Sequence, residues 1–202
     1  MSSRKLWLAS PAADYISGFP IGTGRLAAMV FGGAPTERIA LNHEWLWRGP
    51  NRCRDTEPVA DRLAEVRNLL LAGRYEEGTR LGNQCLGGAG GTSGIPNRVD
   101  PYQPAGDLHL RLDHGEIADY RRELDIEQGV VCVQYGAGDA FFRRECLADL
   151  THDVLLIHLT ASRAFTLRAW LGRIEDPGCL LRREAVPGQL VLDGQFERGI
   201  AF

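Results

Sequence analysis

Alternating apolar and polar residues dominate the second half of the chain. Leu108, Leu110 and Leu112 are apolar and polar residues stand between them, which predicts a half-buried strand. The pattern returns in short segments separated by turn residues, as is typical of antiparallel hairpins. Further strands are predicted at 6–9, 123–126, 130–135, 141–147, 154–160, 165–171, 180–183, 190–192 and 199–202. Strands at this spacing favour an all-β fold made of two facing antiparallel sheets.

A β-hairpin is predicted in the N-terminal part. Its strands are residues 25–31 and 37–41, and the connection at 32–35 contains two glycines and a proline, which suit a tight turn. The second strand alternates, so Ile39 and Leu41 are expected on one face and their neighbours on the other.

Two helices are predicted as a small insertion near residues 57–86. Asp55 or Thr56 can cap the first helix, whose apolar residues recur at helical spacing until Gly73, a suitable C-cap. A second helix is predicted at 74–86. Its inward residues are expected to be Tyr75, Leu81 and Cys85.

One glycine motif resembles a nucleotide-binding fingerprint. Residues 22–27 fit G-x-G-x-x-A, and Glu44 follows about 20 residues later. That fingerprint needs a strand before the glycines and a helix after them. Pro20 argues against the strand. Only the seven residues 25–31 lie between the motif's second glycine and Gly32, a length that suits a strand and is too short for the helix. We therefore predict a hairpin here and no dinucleotide cofactor.

Composition narrows the function classes. The 202 residues carry a net charge of −3 with 44% hydrophobic residues, so neither nucleic acid nor an anionic membrane is an expected partner. No export signal is recognised at the N-terminus, which favours a cytoplasmic location and reduced cysteines. The five cysteines are widely spaced and no histidine pair has helical ligand spacing, so no metal site is predicted.

Candidate chemistry concentrates where the second hairpin strand ends. An amide, a carboxylate, two indoles and a guanidinium follow one another there, at Asn42, Glu44, Trp45, Trp47 and Arg48. Such groups suit a sugar, which offers hydroxyls at its edges and C–H faces for stacking. The alternative is a strand exit where tryptophans pack on the core and polar groups cap the backbone. The candidate carboxylates for glycoside chemistry are Asp14, Glu37, Glu44 and Asp107, and their separation in space decides whether two of them can act as a pair.

Several motifs together resemble the N-terminal domain of glycoside hydrolase family 95, the α-L-fucosidases. Residues 19–33, Phe-Pro-Ile-Gly-Thr-Gly-Arg-Leu-Ala-Ala-Met-Val-Phe-Gly-Gly, are similar to the family's L-P-I-G-N-G-R-L-G-A-M-V-F-G-G. Residues 41–49 resemble its L-N-E-D-T-L-W-S-G, residues 102–108 its Y-Q-P-L-G-D-L, and residues 120–126 its Y-x-R-x-L-D-L.

The resemblance implies a β-super-sandwich of the galactose-mutarotase-like type, followed by an (α/α)₆ barrel that holds the catalytic residues. It implies hydrolysis with inversion at terminal α-L-fucosyl, or galactoside, linkages. No catalytic residue is therefore predicted within this chain. Asn42, Glu44 and Trp47 match the family pattern and are expected to border the substrate site. The family's usual Glu and Asp are replaced by His43 and Glu44.

Three functions follow from these observations. The first is an N-terminal sandwich domain, residues 1–202, that packs on the catalytic barrel of the same parent protein and borders its carbohydrate. The predicted strand at 199–202 suggests that this domain continues. The second is a free-standing carbohydrate-binding module built on Trp45, Trp47 and the glycine-rich loop at residues 87–94. The third is an interaction domain that docks a partner through an exposed apolar face.

Overall fold

A computed structural model describes residues 4–48, 60–86 and 101–197. The strands and helices in chain order are β1 (Lys5–Leu8), β2 (Phe19–Gly22), β3 (Leu26–Val30), β4 (Thr36–His43), α1 (Ala60–Leu71), α2 (Tyr75–Leu86), β5 (Gly106–Leu112), β6 (Ala118–Asp125), β7 (Val130–Ala137), β8 (Ala140–Asp149), β9 (Val154–Ala161), β10 (Leu167–Gly172), β11 (Cys179–Val186) and β12 (Gln189–Phe196). The predicted class, an all-β fold with a small two-helix insertion, is confirmed.

The strands form two five-stranded sheets and one small sheet. Sheet I has the order β1-β6-β7-β8-β9, and sheet II has the order β10-β5-β4-β3-β2. Neighbouring strands in both are antiparallel. Strands β11 and β12 form a separate two-stranded sheet instead of extending either large one, a detail that their alternation alone did not predict.

The chain divides into two compact units. Of the described residues, the first unit contains 4–46 and 103–195, and therefore both large sheets. The second contains 47–48, 60–86, 101–102 and 196–197, and therefore the helix pair. The sequence pattern predicted the helix pair as an insertion. It did not indicate that Trp47 belongs to the same unit as the helices and not to the unit of the two large sheets.

The core of the first unit lies between the two large sheets. Because side chains alternate along each strand, every strand contributes one apolar face. One cluster joins Ile39 and Leu110 of sheet II to Val131 and Cys146 of sheet I, and all four are buried. A second cluster packs Leu112 against the face of sheet I that carries Val133, Tyr135, Ala137, Ala140 and Phe142. Burial of this apolar surface is what holds the sheets together.

A short strand precedes the glycine motif, contrary to the prediction from Pro20. Strand β2 includes Pro20 and pairs antiparallel with β3. It tolerates proline because it is the edge strand of sheet II, where one side of the backbone has no ladder partner. The segment after the glycines is strand β3 and not a helix. The strand–turn–helix arrangement that a dinucleotide fingerprint requires is thus not formed at residues 19–30.

The helices agree with their sequence pattern, with one exception. Helix α2 coincides with the prediction, and Gly73 after α1 has a φ of +76°, as expected of a C-cap. Tyr75 was predicted to face inward, but it is 67% exposed at the first residue of α2. The proposed caps Asp55 and Thr56, the glycine-rich loop, Cys53 and the predicted strand at 199–202 lie outside the described residues. Neither described helix is long and apolar enough to cross a bilayer.

Candidate functional site

Strand β4 separates two kinds of polar side chain. Glu37 lies in phase with Ile39 and faces the core, whereas Arg38 lies on the opposite face of sheet II. Asn42 shares that outer face, since it is four residues after Arg38. One strand therefore carries both a buried polar group and the polar groups of the outer surface.

The buried group is an ion pair between the sheets. Glu37 of β4 is fully buried, and its Oε2 accepts a hydrogen bond from Nη2 of Arg144 on β8. Oε1 of Glu37 accepts the backbone N–H groups of Gly32 and Arg38, both at 2.9 Å. Nη2 of Arg144 also donates to the carbonyl of Gly33 at 3.1 Å. Both carboxylate oxygens accept hydrogen bonds, which is the pattern of an ionised group.

Opposing influences act on this carboxyl group. Burial raises the pKa of Glu37, while the Arg144 guanidinium and the backbone N–H groups around it act in the other direction. Sheet I also contributes Tyr120, whose hydroxyl donates to the carbonyl of Gly32 at 2.5 Å. Burial raises the pKa of the Tyr120 hydroxyl as well, so this group stays a hydrogen-bond donor. The cluster fixes the β3–β4 connection against sheet I and has no exposed face for substrate.

The outer face of sheet II carries a cleft of about 200 Å³, which we call the β4–β5 cleft. Its lining residues are Tyr15, Arg38, Ala40, Leu41, Asn42, Pro104, Gly106, Asp107, Arg173 and Ile174. All of them belong to the first unit. Ala40 and Gly106 carry little or no side chain, and the polar side chains of the lining are those of Tyr15, Arg38, Asn42, Asp107 and Arg173.

Hydrogen bonds and an ion pair hold the polar groups of the cleft. Nη2 of Arg38 lies 3.1 Å from Oδ2 of Asp107, and the Arg38 guanidinium also lies 5.0 Å from the centre of the Phe31 ring. Nδ2 of Asn42 donates to the Tyr15 hydroxyl at 3.2 Å. The cleft therefore brings together a carboxylate, a guanidinium, an amide and a phenol. Sequence reasoning identified Asn42 and considered Asp107, but it missed Tyr15 and Arg38.

Arg173 forms a wall of the same cleft from within. The residue is buried, and its Nε donates to the carbonyl of Pro104 at 3.0 Å. Its Nη2 donates to the side-chain oxygen of Gln103 at 3.1 Å, and Nη1 lies 3.5 Å from Oδ2 of Asp176. Arg173 thus ties the segment before β5 to the segment after β10, and no motif indicated this role.

Glu44, the second predicted site residue, makes different contacts from Asn42. Its Oε1 lies 3.4 Å from Nε of Arg25, which also lies 3.8 Å from Oδ2 of Asp153. The Arg25 guanidinium is 4.7 Å from the centre of the Trp45 ring, and Trp45 is 62% exposed. Glu44 therefore belongs to a surface cluster that joins the β2–β3 turn to the end of β4 and the β8–β9 turn.

Trp47, the third predicted site residue, lies in the second unit. It forms an isolated antiparallel bridge with Tyr102, and the two rings meet edge to face with centroids 5.2 Å apart. Trp47 remains 45% exposed. Asn42 and Glu44 are close in sequence and share the end of β4, whereas Trp47 is described with the helix pair and not with the sandwich.

The four candidate carboxylates each have a structural partner. Oδ1 of Asp14 accepts the hydroxyl of Ser17 at 2.6 Å and its N–H at 2.8 Å, and these bonds hold the pKa of Asp14 below its usual value. Glu37 is paired with Arg144, Glu44 with Arg25 and Asp107 with Arg38. Glu37 and Asp107 also lie on opposite faces of sheet II. This arrangement does not supply an acid and a base on either side of one bond.

The remaining polar motifs make structural contacts. His109, expected on the polar phase of its strand, stacks on Trp170 of β10 with ring centroids 4.9 Å apart. Within the described residues, no three side chains of His, Cys, Asp or Glu are grouped so as to hold a metal ion. The described cysteines are unpaired, and three of the four are buried. Burial raises the pKa of the Cys146 thiol to about 12.

Comparison with known proteins identifies the relatives of this chain. Alpha-L-fucosidase 2 of Arabidopsis thaliana is 34% identical over 167 residues, which are 81% of this chain and 19% of that protein. The probable alpha-fucosidase A of Aspergillus niger is 28% identical, over 80% of this chain and 20% of the relative. That of Aspergillus oryzae is 24% identical, over 80% and 22%. The chain thus spans about a fifth of the length of these curated relatives.

The sequence model of one family, described as the N-terminal domain of glycosyl hydrolase family 65, matches residues 6–200. The match extends over nearly the whole chain, so this protein belongs to the family of glycosyl hydrolase family 65 N-terminal domains.

Proposed function

We propose that this chain is the non-catalytic N-terminal domain of an α-L-fucosidase-like glycosidase. The parent protein would be a member of glycoside hydrolase family 95, a finer assignment than the family match gives. It would hydrolyse terminal α-L-fucosyl linkages, or related galactoside linkages, with inversion. The motifs at residues 19–33 and 102–108 and the names of the three relatives support this proposal.

The observation that carries the non-catalytic role is the placement of the carboxylates. An inverting glycosidase needs a protonated acid and a base about 6.5–9.5 Å apart, with room for a water between them. Here Glu37 is enclosed in the core, and Glu44 and Asp107 each face an arginine. The resemblance to family 95 implies that the chemistry takes place in an (α/α)₆ barrel elsewhere in the parent protein, and we propose that this domain supports that barrel.

Asn42, Glu44 and Trp47 are proposed to border the substrate site of the parent enzyme. Asn42 and Glu44 lie at the end of β4, where the strand pattern gives way to exposed polar groups. Trp47 offers a half-exposed indole that can stack on a sugar. No cofactor or metal is assigned to these residues.

An activity assay of two polypeptides tests the division of labour. The 202-residue chain alone should not hydrolyse p-nitrophenyl α-L-fucoside or the corresponding α-galactoside. The polypeptide encoded by the complete reading frame should hydrolyse at least one of them. Turnover by the chain alone would refute the non-catalytic role, and an inactive complete polypeptide would refute the glycosidase assignment.

The border residues are tested in the complete polypeptide. Asn42→Ala and Glu44→Ala should raise KM about three- to tenfold and change kcat less, because each removes binding to substrate without touching the reacting bond. Asn68→Ala and Glu65→Ala remove the same groups from helix α1 and should leave both constants unchanged. Equal constants in all four variants would remove Asn42 and Glu44 from the border while leaving the scaffold role intact.

A second candidate function is a carbohydrate-binding module, favoured by the exposure of Trp45 and by the Arg25 guanidinium that stacks on it. In that case the 202-residue chain should bind fucosyllactose, and Trp45→Ala should abolish the heat of binding in calorimetry. Unchanged heat in the Trp45→Ala variant, or no heat in the unmodified chain, rejects a tryptophan platform.

A further inference from the structure

The β4–β5 cleft combines a small volume with polar side chains set among an apolar lining. Ligand cavities for drug-sized molecules measure about 300–1,000 Å³, so a cleft of about 200 Å³ suits a smaller molecule, such as a single sugar ring. Ala40 and Gly106 add little or no side chain to the lining of the cleft. A Cβ added to Gly106 would lie 2.7 Å from the carbonyl oxygen of Gly172, so the backbones of β5 and β10 approach too closely here for a larger residue.

The charges in and beside the cleft balance one another. Arg38 faces Asp107 at 3.1 Å, and Arg173 faces Asp176 at 3.5 Å. An anion would meet the repulsion of a carboxylate as well as the attraction of a guanidinium, and a cation would meet the converse. This balance favours an uncharged ligand that hydrogen-bonds to both signs of charge.

The polar groups keep hydrogen-bonding capacity for such a ligand. A carboxylate accepts at two oxygens and a guanidinium donates from five N–H groups, so one contact between Asp107 and Arg38 does not use either fully. Asn42 adds an amide that both donates and accepts, and Tyr15 adds a ring face. Adjacent hydroxyls of a pyranose match a neighbouring donor and acceptor, and its C–H face matches an aromatic ring.

These groups are held in place before any ligand binds. Arg38 is fixed by Asp107 and by the Phe31 ring, and the Tyr15 hydroxyl is fixed by Asn42. Arg173 is buried and bonded to the backbone of Pro104, which stabilises the cleft wall. Prior ordering lowers the entropy that binding costs, which matters most for a small ligand with few contacts.

We infer that the β4–β5 cleft is a binding site for one neutral pyranose ring with adjacent hydroxyl groups. Asp107 and Arg38 hydrogen-bond to the hydroxyls, Asn42 supports them from the end of β4, and Tyr15 packs on the ring. This site shares Asn42 with the proposed substrate border and is distinct from the Glu44 cluster and from Trp47. It lies wholly within the first unit and does not depend on the proposed function of the parent enzyme.

The test is a titration of the 202-residue chain, labelled with ¹⁵N and followed by NMR. L-fucose and D-galactose are added in turn up to about 50 mM, and inorganic phosphate serves as the anionic probe. At least one sugar should shift the Asn42 side-chain amide and the backbone amides of Gly106 and Asp107, with a Kd in the millimolar range. Phosphate should not shift them.

Matched variants decide whether the shifts report the proposed contacts. Tyr15→Ala and Asp107→Asn should each weaken the sugar about fivefold or more. Tyr75→Ala and Asp61→Asn make the same changes in the exposed helix pair and should leave the affinity unchanged. The amide spectrum of each variant checks its fold, and Tyr15→Phe, which keeps the ring, should bind more tightly than Tyr15→Ala.

Three results would overturn the inference. The cleft amides do not shift with either sugar, or phosphate shifts them while the sugars do not, or Asp107→Asn binds as tightly as the unmodified chain. Shifts confined to the indole of Trp45 would move binding to the tryptophan platform. None of these results bears on whether the complete polypeptide is a glycosidase, which the activity assay decides separately.

Discussion

Glu37 and Arg38 are neighbours in sequence, yet they lie on opposite faces of strand β4 and form ion pairs in different surroundings. Glu37 faces the core and pairs with Arg144 of the other sheet, and both side chains are almost completely buried. Arg38 faces outward and pairs with Asp107, with about half of its side chain exposed. Both are carboxylate–guanidinium pairs, so the difference comes from burial and not from chemical type.

The contrast between the two ion pairs shows which polar groups hold the fold together and which are available to bind a ligand. A buried pair has lost its water and must be satisfied by protein groups, so it fixes the position of the chain segments that supply them. An exposed pair contributes little to stability because water competes for it. Because the side chains of an exposed pair are accessible to water, they are also accessible to a ligand. Successive side chains of β4 point to opposite faces of the sheet, so Glu37 fixes the structure while its neighbour Arg38 is available for recognition.

Removing the arginine from each pair should give the largest contrast. Arg144→Met leaves the Glu37 carboxylate buried without its partner, and we expect it to lower the free energy of unfolding by about 3–5 kcal/mol. Arg38→Met leaves Asp107 near water and should cost about 1 kcal/mol or less. Urea unfolding followed by tryptophan fluorescence measures both changes. Equal losses in the two variants would contradict the distinction between the faces.

A double variant sharpens the same contrast. Nε and Nη1 of Arg144 have no hydrogen-bond partner within the described part of the chain, so the buried pair is only partly satisfied. Replacing both partners, Glu37→Met with Arg144→Met, leaves no charge buried and should recover part of the stability that Arg144→Met loses. The recovery is incomplete because the N–H groups of Gly32 and Arg38 lose their acceptor. A double variant as unstable as the single one would show that the pair is needed for packing and not only for mutual neutralisation.

The turn that presents backbone groups to the buried pair should be the next most sensitive position. A Cβ added at Gly33 would lie 2.0 Å from the carbonyl oxygen of Thr36, so Gly33→Ala must displace the backbone that accepts from Arg144. We expect a loss of about 1–3 kcal/mol. A Cβ at Gly115 meets nothing within 4 Å, so Gly115→Ala should change stability by less than about 0.5 kcal/mol. Differential scanning calorimetry compares the two, and a neutral Gly33→Ala would contradict this account of the turn.

The sequence predicted most of the strands because their alternation is a local signal. Residues 130–135 and 141–147 were correctly placed within β7 and β8, whose alternate residues face the core, among them Val131, Val133 and Phe142. Pro20 misled because proline excludes only central strands, and sequence does not say which strand lies at an edge. Tyr75 misled for a similar reason, since helical spacing does not say whether the first residue of a helix is covered by another element.

The alternation of apolar and polar residues also gave a partial indication of the buried pair of Glu37 and Arg144. Glu37 has the phase of Ile39 and Leu41, and Arg144 has the phase of Phe142 and Cys146, so each charge stands on an apolar face. The β4–β5 cleft was not visible, because Tyr15, Asp107 and Arg173 are far apart in sequence. They meet only through the pairing of β4 with β5 and of β5 with β10. Register between distant strands is what local periodicity does not supply.

The smallest expected effect is the pH dependence of a carboxylate on the outer face of sheet I. Glu123 lies 2.8 Å from Nζ of Lys5 and 3.1 Å from Nε of Arg121, and these cations, Lys5 first, hold the pKa of Glu123 below its usual value of 4.5. A carboxyl group whose pKa is lower in the folded protein stabilises the fold at pH values above 4.5. That contribution is lost as the pH falls through the lowered pKa. Burial acts on Glu37 in the opposite direction.

Glu123→Gln should therefore lower the free energy of unfolding by about 1 kcal/mol or less at pH 7, and the gap to the unmodified protein should close as the pH falls from 5 to 3. Lys5→Met removes the main partner and should show the same pH-dependent gap, while the double variant should lose little more than either single variant. Raising the salt concentration should narrow the gap at pH 7, because the pair is partly exposed. Urea unfolding at each pH measures these differences. A gap that stays constant or widens on acidification would mean that Glu123 is not held ionised by Lys5, and outer-face pairs would then resemble the buried pair more than their exposure suggests.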